Sequence, residues 1–238
     1  MFRFRVLNIL LVISFLFFLS TGSYASGSVN SNSPVLRTDS VPEIQLLYNG
    51  RAWRNLYLSV KEDQFLFANE FLPGTISMNG KLFRNVDLRY DIYKDELLIP
   101  LNRGVIIQLN KEMVDSFSLV FQNRSYLFKN FRNDSLKLIK GYLNVLYSGK
   151  SSLMVKYRKE IELLAVDKKY DLFFQQHRIY LVKDGVAYLL SGRRDFLKLL
   201  DDQKLQVRSF IKKYRYRISK NYPDSFVPVI KYYDSLKK

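Results

Sequence analysis

The 238-residue chain contains no cysteine and only one histidine, His177. The absence of cysteine excludes disulfides, a thiolate nucleophile, a thiolate metal site and a lipid anchor on a cysteine. A single histidine also excludes most zinc hydrolases, which need several imidazole ligands. His177 stands near the start of a predicted strand, where we interpret it as a surface or strand-end residue. The sequence therefore predicts neither a metal site nor a cofactor.

Catalytic motifs are equally sparse. No G-x-S-x-G sequence is present that could expose a nucleophilic serine on a strand-to-helix turn. Gly149-Lys150-Ser151 has the tail of a phosphate-binding loop, but Asn144 occupies the position of its first glycine. We interpret this stretch as a hairpin turn. No residue of the chain is predicted to be catalytic.

The first 25 residues have the organisation of a cleaved secretory signal peptide. Arg3 and Arg5 precede an apolar stretch over 6–19, and Ala25 supplies a small side chain at the cleavage position. That stretch is shorter than the roughly 20 residues that span a bilayer as a helix. Residues 26–42, rich in Ser, Asn and Pro, are expected to form a flexible leader. We therefore expect an exported protein, periplasmic or extracellular, that could associate peripherally with the outer membrane.

The formal net charge of +16 is the other marked bias of the composition. Loss of Arg3 and Arg5 with the signal peptide would leave +14. A field of this size attracts polyanions and anionic membranes. The predicted partner is an anionic envelope component, such as a lipopolysaccharide head group or an acidic polysaccharide, or an acidic protein. A charge that only maintains solubility is the alternative.

Residues 43–190 show the alternation of half-buried antiparallel strands. After Asn79-Gly80, for example, apolar side chains share one parity and polar side chains the other. Asn-Gly at 49–50 and 79–80 and Asp-Gly at 184–185 favour two-residue hairpin turns, each followed by a strand. Roughly ten to twelve short strands predict an antiparallel meander sandwich or barrel.

After Leu190 the apolar spacing changes to that of helices. Residues 191–238 are expected to form a basic region of two or three helices packed on the β-rich domain. Within it, Val207, Phe210, Ile211 and Tyr214 follow the spacing of one apolar helical stripe. The predicted fold class is thus mainly β with C-terminal α.

The stretch 204–220, KLQVRSFIKKYRYRISK, contains seven basic residues and no acidic one. Helical spacing places its cations on a flank of the apolar stripe, and its tyrosines could stack on sugar or base rings. The candidate ligand-binding residues are Lys204, Arg208, Lys212, Lys213, Tyr214, Arg215 and Tyr216. These features favour a non-catalytic cell-envelope binding or scaffold protein.

Two other functions stay open. Asp91 or Glu96 could serve a carboxylate-dependent glycan hydrolase, with Asp95 completing an acidic cluster at a predicted turn. Asp87 shares a strand face with Asp91, but at about 3.3 Å per residue their backbones are roughly 13 Å apart, too far for such a pair. A soluble barrel that holds a lipid is the second alternative, and it would require a large apolar cavity.

Three stretches together resemble a known group of sequences. They are NG-x-x-F-x-N-V-x-L-x-YD-x-Y from residue 79, GYLNVLYSGK from residue 141 and RRDFLKLL from residue 193. This succession is similar to a family of uncharacterised secreted proteins of the Bacteroidetes, over about residues 75–236. The resemblance implies export and carries no known activity, so it leaves the function open.

Overall fold

Eleven strands form one sheet in the structure, a computed structural model that describes residues 45–132 and 138–237. The predicted signal peptide and leader lie outside the described residues. The strands are β1 (Gly50–Ala52), β2 (Leu72–Met78), β3 (Lys81–Asp91), β4 (Glu96–Pro100), β5 (Ile106–Leu109), β6 (Val114–Phe121), β7 (Arg124–Phe131), β8 (Gly141–Ser148), β9 (Ser152–Val166), β10 (Tyr170–Lys183) and β11 (Val186–Leu190).

The strands lie in the order β1-β5-β4-β3-β2-β6-β7-β8-β9-β10-β11. Every neighbouring pair is antiparallel. Most neighbours in the sheet are also neighbours in the chain, because antiparallel strands can be joined by short hairpin turns. The exceptions are β2, which lies between β3 and β6, and β1, which lies beyond β5. An antiparallel sheet followed by C-terminal helices confirms the predicted fold class.

Two of the three predicted dipeptide turns form as expected. Asn79 and Gly80 join β2 to β3 with φ of 48° and 77°. Asp184 and Gly185 join β10 to β11 with φ of 52° and 75°. Positive φ at both central residues is the conformation of the type I′ turn, whose twist matches that of the flanking strands. These dipeptides therefore determine where each hairpin reverses.

The prediction for the first Asn-Gly pair is wrong. Gly50 begins β1, where it pairs with β5, and it does not form a hairpin turn. The prediction of a strand after this pair is also wrong. Residues 53–60 are irregular, and Leu56 and Leu58 are 78% and 84% exposed. Asn55 Oδ1 accepts a hydrogen bond from the Tyr57 N–H at 2.9 Å. Hydrogen bonds from side chains to the nearby backbone compete with the backbone hydrogen bonds of a strand. Here the side-chain bond forms although apolar residues recur at alternate positions in this segment.

The hairpin of β9 and β10 is longer than predicted. The sequence IELLAV at 161–166 predicts one more strand, but in the structure this stretch continues β9, and β10 begins at Tyr170 instead of near His177. Side chains 162–165 at the far end of β9 are all exposed. Because both faces there contact solvent, no period-two pattern marks this part of the strand.

Contacts between distant strands curl the sheet. The Lys159 N–H in β9 donates to the Ile92 carbonyl after β3 at 3.3 Å, although four strands separate β3 from β9 in the sheet. The Lys61 N–H donates to the Asp171 carbonyl at 2.9 Å, and the Phe173 N–H donates to the Lys61 carbonyl at 3.1 Å. The chain between β1 and β2 therefore bridges to β10.

Aromatic rings dominate the core of the curled sheet. Tyr90, Phe117, Phe128 and Tyr142 are almost fully buried, with ring centroids 4.8 to 5.6 Å apart in their mutual contacts. Aromatic pairs at such distances contribute roughly 0.5–1.5 kcal/mol each beyond the area they bury. A chain without disulfides depends on a core of this kind for its stability.

The described chain ends in three α-helices that pack on β9 and β10: α1 (Arg193–Leu199), α2 (Lys204–Tyr214) and α3 (Val227–Leu236). This second core contains Leu153, Val155, Ile179, Leu181, Phe196, Val207, Ile211, Ile230 and Tyr233. In the stripe predicted for α2, Val207 and Ile211 are buried, but Tyr214 is exposed. Only part of the apolar stripe of α2 therefore packs on the sheet.

A buried carboxylate ties α3 to the sheet. Asp234 Oδ2 accepts hydrogen bonds from the Ser151 N–H at 2.8 Å and from the Tyr147 hydroxyl at 3.1 Å. All described residues belong to one compact unit. Within that described part of the chain, no helix has the length and apolar character needed to cross a membrane.

Candidate anion-binding groove

A groove of about 560 Å³ lies against α1 and α2. Its lining residues come from both helices and from the two residues after α2: Arg193, Leu197, Arg208, Ile211, Lys212, Arg215 and Tyr216. Four of these seven side chains are cationic, and two are aliphatic. The groove thus combines concentrated positive charge with an apolar surface, and we refer to it as the basic groove.

Packing of α2 on the sheet places its cations along the basic groove. Val207 and Ile211 are buried in the second core. Arg208 and Lys212 each follow one of these residues and lie one helical turn apart, so they share a face next to the buried one. Both are exposed. The amphipathic pattern of the helix therefore sets the direction of the two charges.

The end of α2 brings Arg215 and Tyr216 to the same place. Arg215 adopts the left-handed conformation, with φ of 55°. Its N–H donates to the Lys212 carbonyl at 3.3 Å, and the Tyr216 N–H donates to the Ile211 carbonyl at 3.1 Å. This pair of bonds is the Schellman motif, in which the chain reverses at the helix end. Glycine is the usual residue at that position, and an arginine there costs roughly 1–3 kcal/mol of backbone strain.

The four cations of the basic groove are not neutralised by neighbouring acids. Among the described residues, none forms an ion pair with Arg193, Arg208, Lys212 or Arg215. Lys204, by contrast, lies 2.9 Å from an Asp201 carboxylate oxygen. The field of the groove cations is therefore available to a ligand from solution.

Tyr216 is held in place by a stack of rings. Phe210 lies between Tyr232, with centroids 4.0 Å apart and planes at 3°, and Tyr216, with centroids 5.4 Å apart and planes at 29°. Tyr214 contacts the edge of the same group, 4.9 Å from Phe210. Stacking restricts the Tyr216 ring, so a ligand that contacts it loses little additional side-chain entropy on binding.

The structure brings together some of the residues predicted for the ligand site. Arg208, Lys212, Arg215 and Tyr216 line the basic groove. The other predicted residues, Lys204, Lys213 and Tyr214, do not line it, and the Lys213 ammonium lies over the Tyr214 ring at 5.3 Å. Sequence reasoning missed Arg193 and Leu197, which lie on α1. The available signal was the basic pair Arg193-Arg194 at the start of a predicted helix.

His177 takes no part in this groove. Its Nε2 lies 2.6 Å from the Lys220 carbonyl oxygen, and its ring packs against Tyr157 at a centroid distance of 6.3 Å. Over residues 45–132 and 138–237, no group of three or more His, Cys, Asp or Glu side chains is placed to hold a metal ion.

Asp91, Asp95 and Glu96, the acidic residues of the hydrolase alternative, do not all lie in the same cleft. Asp91 and Glu96 line a second cleft, of about 520 Å³, beside β1 and the loop that follows it. Asp95 instead contacts Lys111 and Lys156, with oxygen–nitrogen distances of 2.5 and 2.6 Å. The three acids therefore do not form one cluster.

Comparison with known proteins identifies no relative. No family model matches the chain, no curated protein matches it, and no solved structure matches its fold. The resemblance to secreted Bacteroidetes proteins stays a prediction from the sequence. The function is therefore inferred from the chemistry of the basic groove and of the second cleft.

Proposed function

We propose that this chain is an exported binding protein of the cell envelope that holds an anionic ligand in the basic groove. The observation that carries the proposal is the group of four cations, without acidic partners among the described residues, around an apolar surface. The export component depends on the N-terminal sequence, with its basic residues and apolar stretch over 6–19.

The chemistry of the basic groove favours phosphate or sulfate groups. Three of its four cations are arginines, whose planar guanidinium groups match such oxyanions with paired hydrogen bonds. Leu197, Ile211 and Tyr216 offer contact to a ring or an alkyl part of the same ligand. A phosphorylated or sulfated envelope glycan combines these features. The described lining includes no carboxylate, histidine or serine, so recognition is the function that the basic groove supports.

Retention on immobilised heparin and on lipopolysaccharide tests the proposal. The variant Arg208→Ala/Lys212→Ala removes two charges from the basic groove, and we expect it to elute at clearly lower salt than the wild type. The control Lys198→Ala/Lys213→Ala removes two exposed charges from the same helices outside the groove. Equal loss of retention in both variants would mean that only net charge matters, and would contradict the proposal.

A further inference from the structure

The second cleft combines two carboxylates with aromatic and amide side chains. It is lined by Arg51, Ala52, Trp53, Arg54, Leu56, Tyr57, Gln64, Asp91, Lys94, Glu96 and Gln108. None of these residues lines the basic groove. The volume of about 520 Å³ is within the range of small-molecule sites. We refer to it as the acidic cleft.

The two carboxylates are held opposite each other by the β3–β4 hairpin. Asp91 ends β3, Glu96 begins β4, and their Cα atoms are direct partners in the ladder. Side chains of directly paired residues point to the same face, with Cβ atoms roughly 4.5–5.5 Å apart. Retaining glycosidases place their two carboxyl groups about 5–5.5 Å apart. Neighbouring Cβ atoms on one face allow the two carboxyl groups to approach the separation that this reaction needs.

Asp91 has one oxygen that is committed to the fold and one that is not. Its Oδ1 accepts hydrogen bonds from the Tyr93 and Lys94 N–H groups, both at 2.9 Å. Its Oδ2 accepts none from any residue in the described part of the chain, although the side chain is only 1% exposed. A carboxyl oxygen without a donor, on the wall of a cleft, is a group to which a ligand can donate a hydrogen bond.

The surroundings of the two carboxyl groups give them different properties. Burial raises the pKa of Asp91 to about 6, against the opposing effect of the two N–H groups. Glu96 is more accessible and lies 3.4 Å from the Arg51 guanidinium. Burial raises the pKa of Glu96, and the charge of Arg51 opposes that rise. Two carboxyl groups in unlike environments can divide the roles of acid and nucleophile.

The rest of the acidic cleft suits a sugar. Trp53 and Tyr57 provide ring surfaces, and Gln64 and Gln108 provide amide groups for hydroxyls. Gln64 is 2% exposed, so its amide is held by the protein. Apolar ring faces with a few fixed polar groups are typical of specific ligand sites.

We propose that the acidic cleft hydrolyses a glycosidic bond with retention of configuration, with Asp91 as acid and base and Glu96 as nucleophile. First, the Glu96 carboxylate bonds to the anomeric carbon, the glycosidic carbon–oxygen bond breaks, and the departing oxygen takes the Asp91 proton. Water then attacks the same carbon, gives its proton to the Asp91 carboxylate, and releases the Glu96 carboxylate. The activity is separate from ligand binding in the basic groove.

Hydrolysis assays on the secreted chain test this proposal. The substrates are a panel of nitrophenyl α- and β-glycosides and a set of soluble polysaccharides assayed for new reducing ends. Asp91→Asn should lower kcat/KM on polysaccharides roughly 10²–10⁴-fold, the usual contribution of a general acid. The loss should be smaller on nitrophenyl glycosides, whose leaving group needs little protonation. Asparagine retains an Oδ1 acceptor for the two N–H groups, so the turn is preserved.

A second variant identifies the nucleophile. Glu96→Ala should be inactive, and added azide should restore turnover by forming a glycosyl azide. Asp87→Asn, on an exposed part of β3 outside the acidic cleft, is the matched control and should keep wild-type activity. The proposal is overturned if no substrate in the panel is hydrolysed, if Asp91→Asn and Glu96→Ala retain full activity, or if NMR shows an inverted product.

Discussion

Replacing Asp95 by asparagine removes the central charge of a partly buried cluster. Asp95 Oδ1 accepts from the Tyr90 hydroxyl at 2.5 Å and lies 2.6 Å from the Lys156 Nζ, while Oδ2 lies 2.5 Å from the Lys111 Nζ. Asp95 has a φ of 60°, in the left-handed region. Asparagine tolerates this region as well as aspartate does, so the substitution changes the charge and leaves the turn intact.

The expected destabilisation is about 3 kcal/mol, at the lower end of the range for removing one partner of a buried ion pair. The side chains of Asp95 and Lys156 are 20% and 17% exposed, while that of Lys111 is 34% exposed and more screened by water. For a chain of this size, about 3 kcal/mol corresponds to a fall in Tm of roughly 6–12 °C. The Lys156 ammonium, left without its carboxylate, accounts for most of this cost.

The effect should depend on pH. Burial raises the pKa of Asp95, but the ammonium groups of Lys156 and Lys111 outweigh it, so the pKa is lowered overall. A carboxyl group with a lowered pKa in the folded state stabilises the fold above its unfolded pKa, about 3.9 for aspartate. That contribution is lost as the pH falls through the folded-state pKa. The difference in Tm between wild type and Asp95→Asn should therefore be largest near neutral pH and shrink in acid.

Thermal unfolding followed by circular dichroism at pH 7 and at pH 3 measures both effects. The double variant Asp95→Asn/Lys156→Met also removes the unpaired ammonium, and we expect it to recover part of the lost stability. A fall in Tm below about 2 °C at pH 7 would refute the reasoning, since it corresponds to roughly 1 kcal/mol or less. A difference in Tm that is the same at both pH values would also refute it.

Three further predictions concern the second core, one glycine and the basic groove. Phe196 is fully buried, with its ring centroid 5.0 Å from that of Phe226. Phe196→Ala should therefore lower the free energy of unfolding by about 3–5 kcal/mol, measured by urea titration. A loss below about 1 kcal/mol would mean that α1 does not unfold cooperatively with the sheet. Gly141 has a φ of 79°, and a Cβ there would lie 2.0 Å from Asp95 Oδ2. Gly141→Ala should therefore cost more than about 1 kcal/mol, whereas Gly192→Ala, with open space around the position, should change the urea midpoint little, and equal effects would contradict this account. If the four groove cations all contact a single-stranded polyanion, its affinity should fall about 50-fold between 50 and 200 mM salt, a log–log slope of about −2.8. Arg208→Ala/Lys212→Ala should halve that slope in fluorescence titrations, and an unchanged slope would place binding elsewhere.

The features that sequence reasoning predicted correctly depend on neighbouring residues. Asn79-Gly80 and Asp184-Gly185 reverse the chain because both residues of each pair accept positive φ. The apolar spacing within α2 predicted the buried side chains Val207 and Ile211. These outcomes need only the geometry of one turn or one helix.

The errors occurred where distant contacts override the local pattern. Asn49-Gly50 has the same composition as the second Asn-Gly pair, yet pairing with β5, more than fifty residues later, extends Gly50 into a strand. The basic groove needed Arg193 from a different helix. In the acidic cleft, Trp53 and Gln64 meet Asp91 only because the loop after β1 packs against the end of β3.

By itself, the sequence determined that strands precede the C-terminal helices, the position of two hairpin turns, and the concentration of positive charge near the C-terminus. Tertiary structure alone decided the order of strands in the sheet, the length of the β9–β10 hairpin, and which cations and carboxylates share a cleft. The physical reason is that local preferences and packing contacts act over different distances along the chain. Dihedral preferences and side-chain periodicity act over a few residues, whereas a cleft forms where the packing of remote segments brings its walls together.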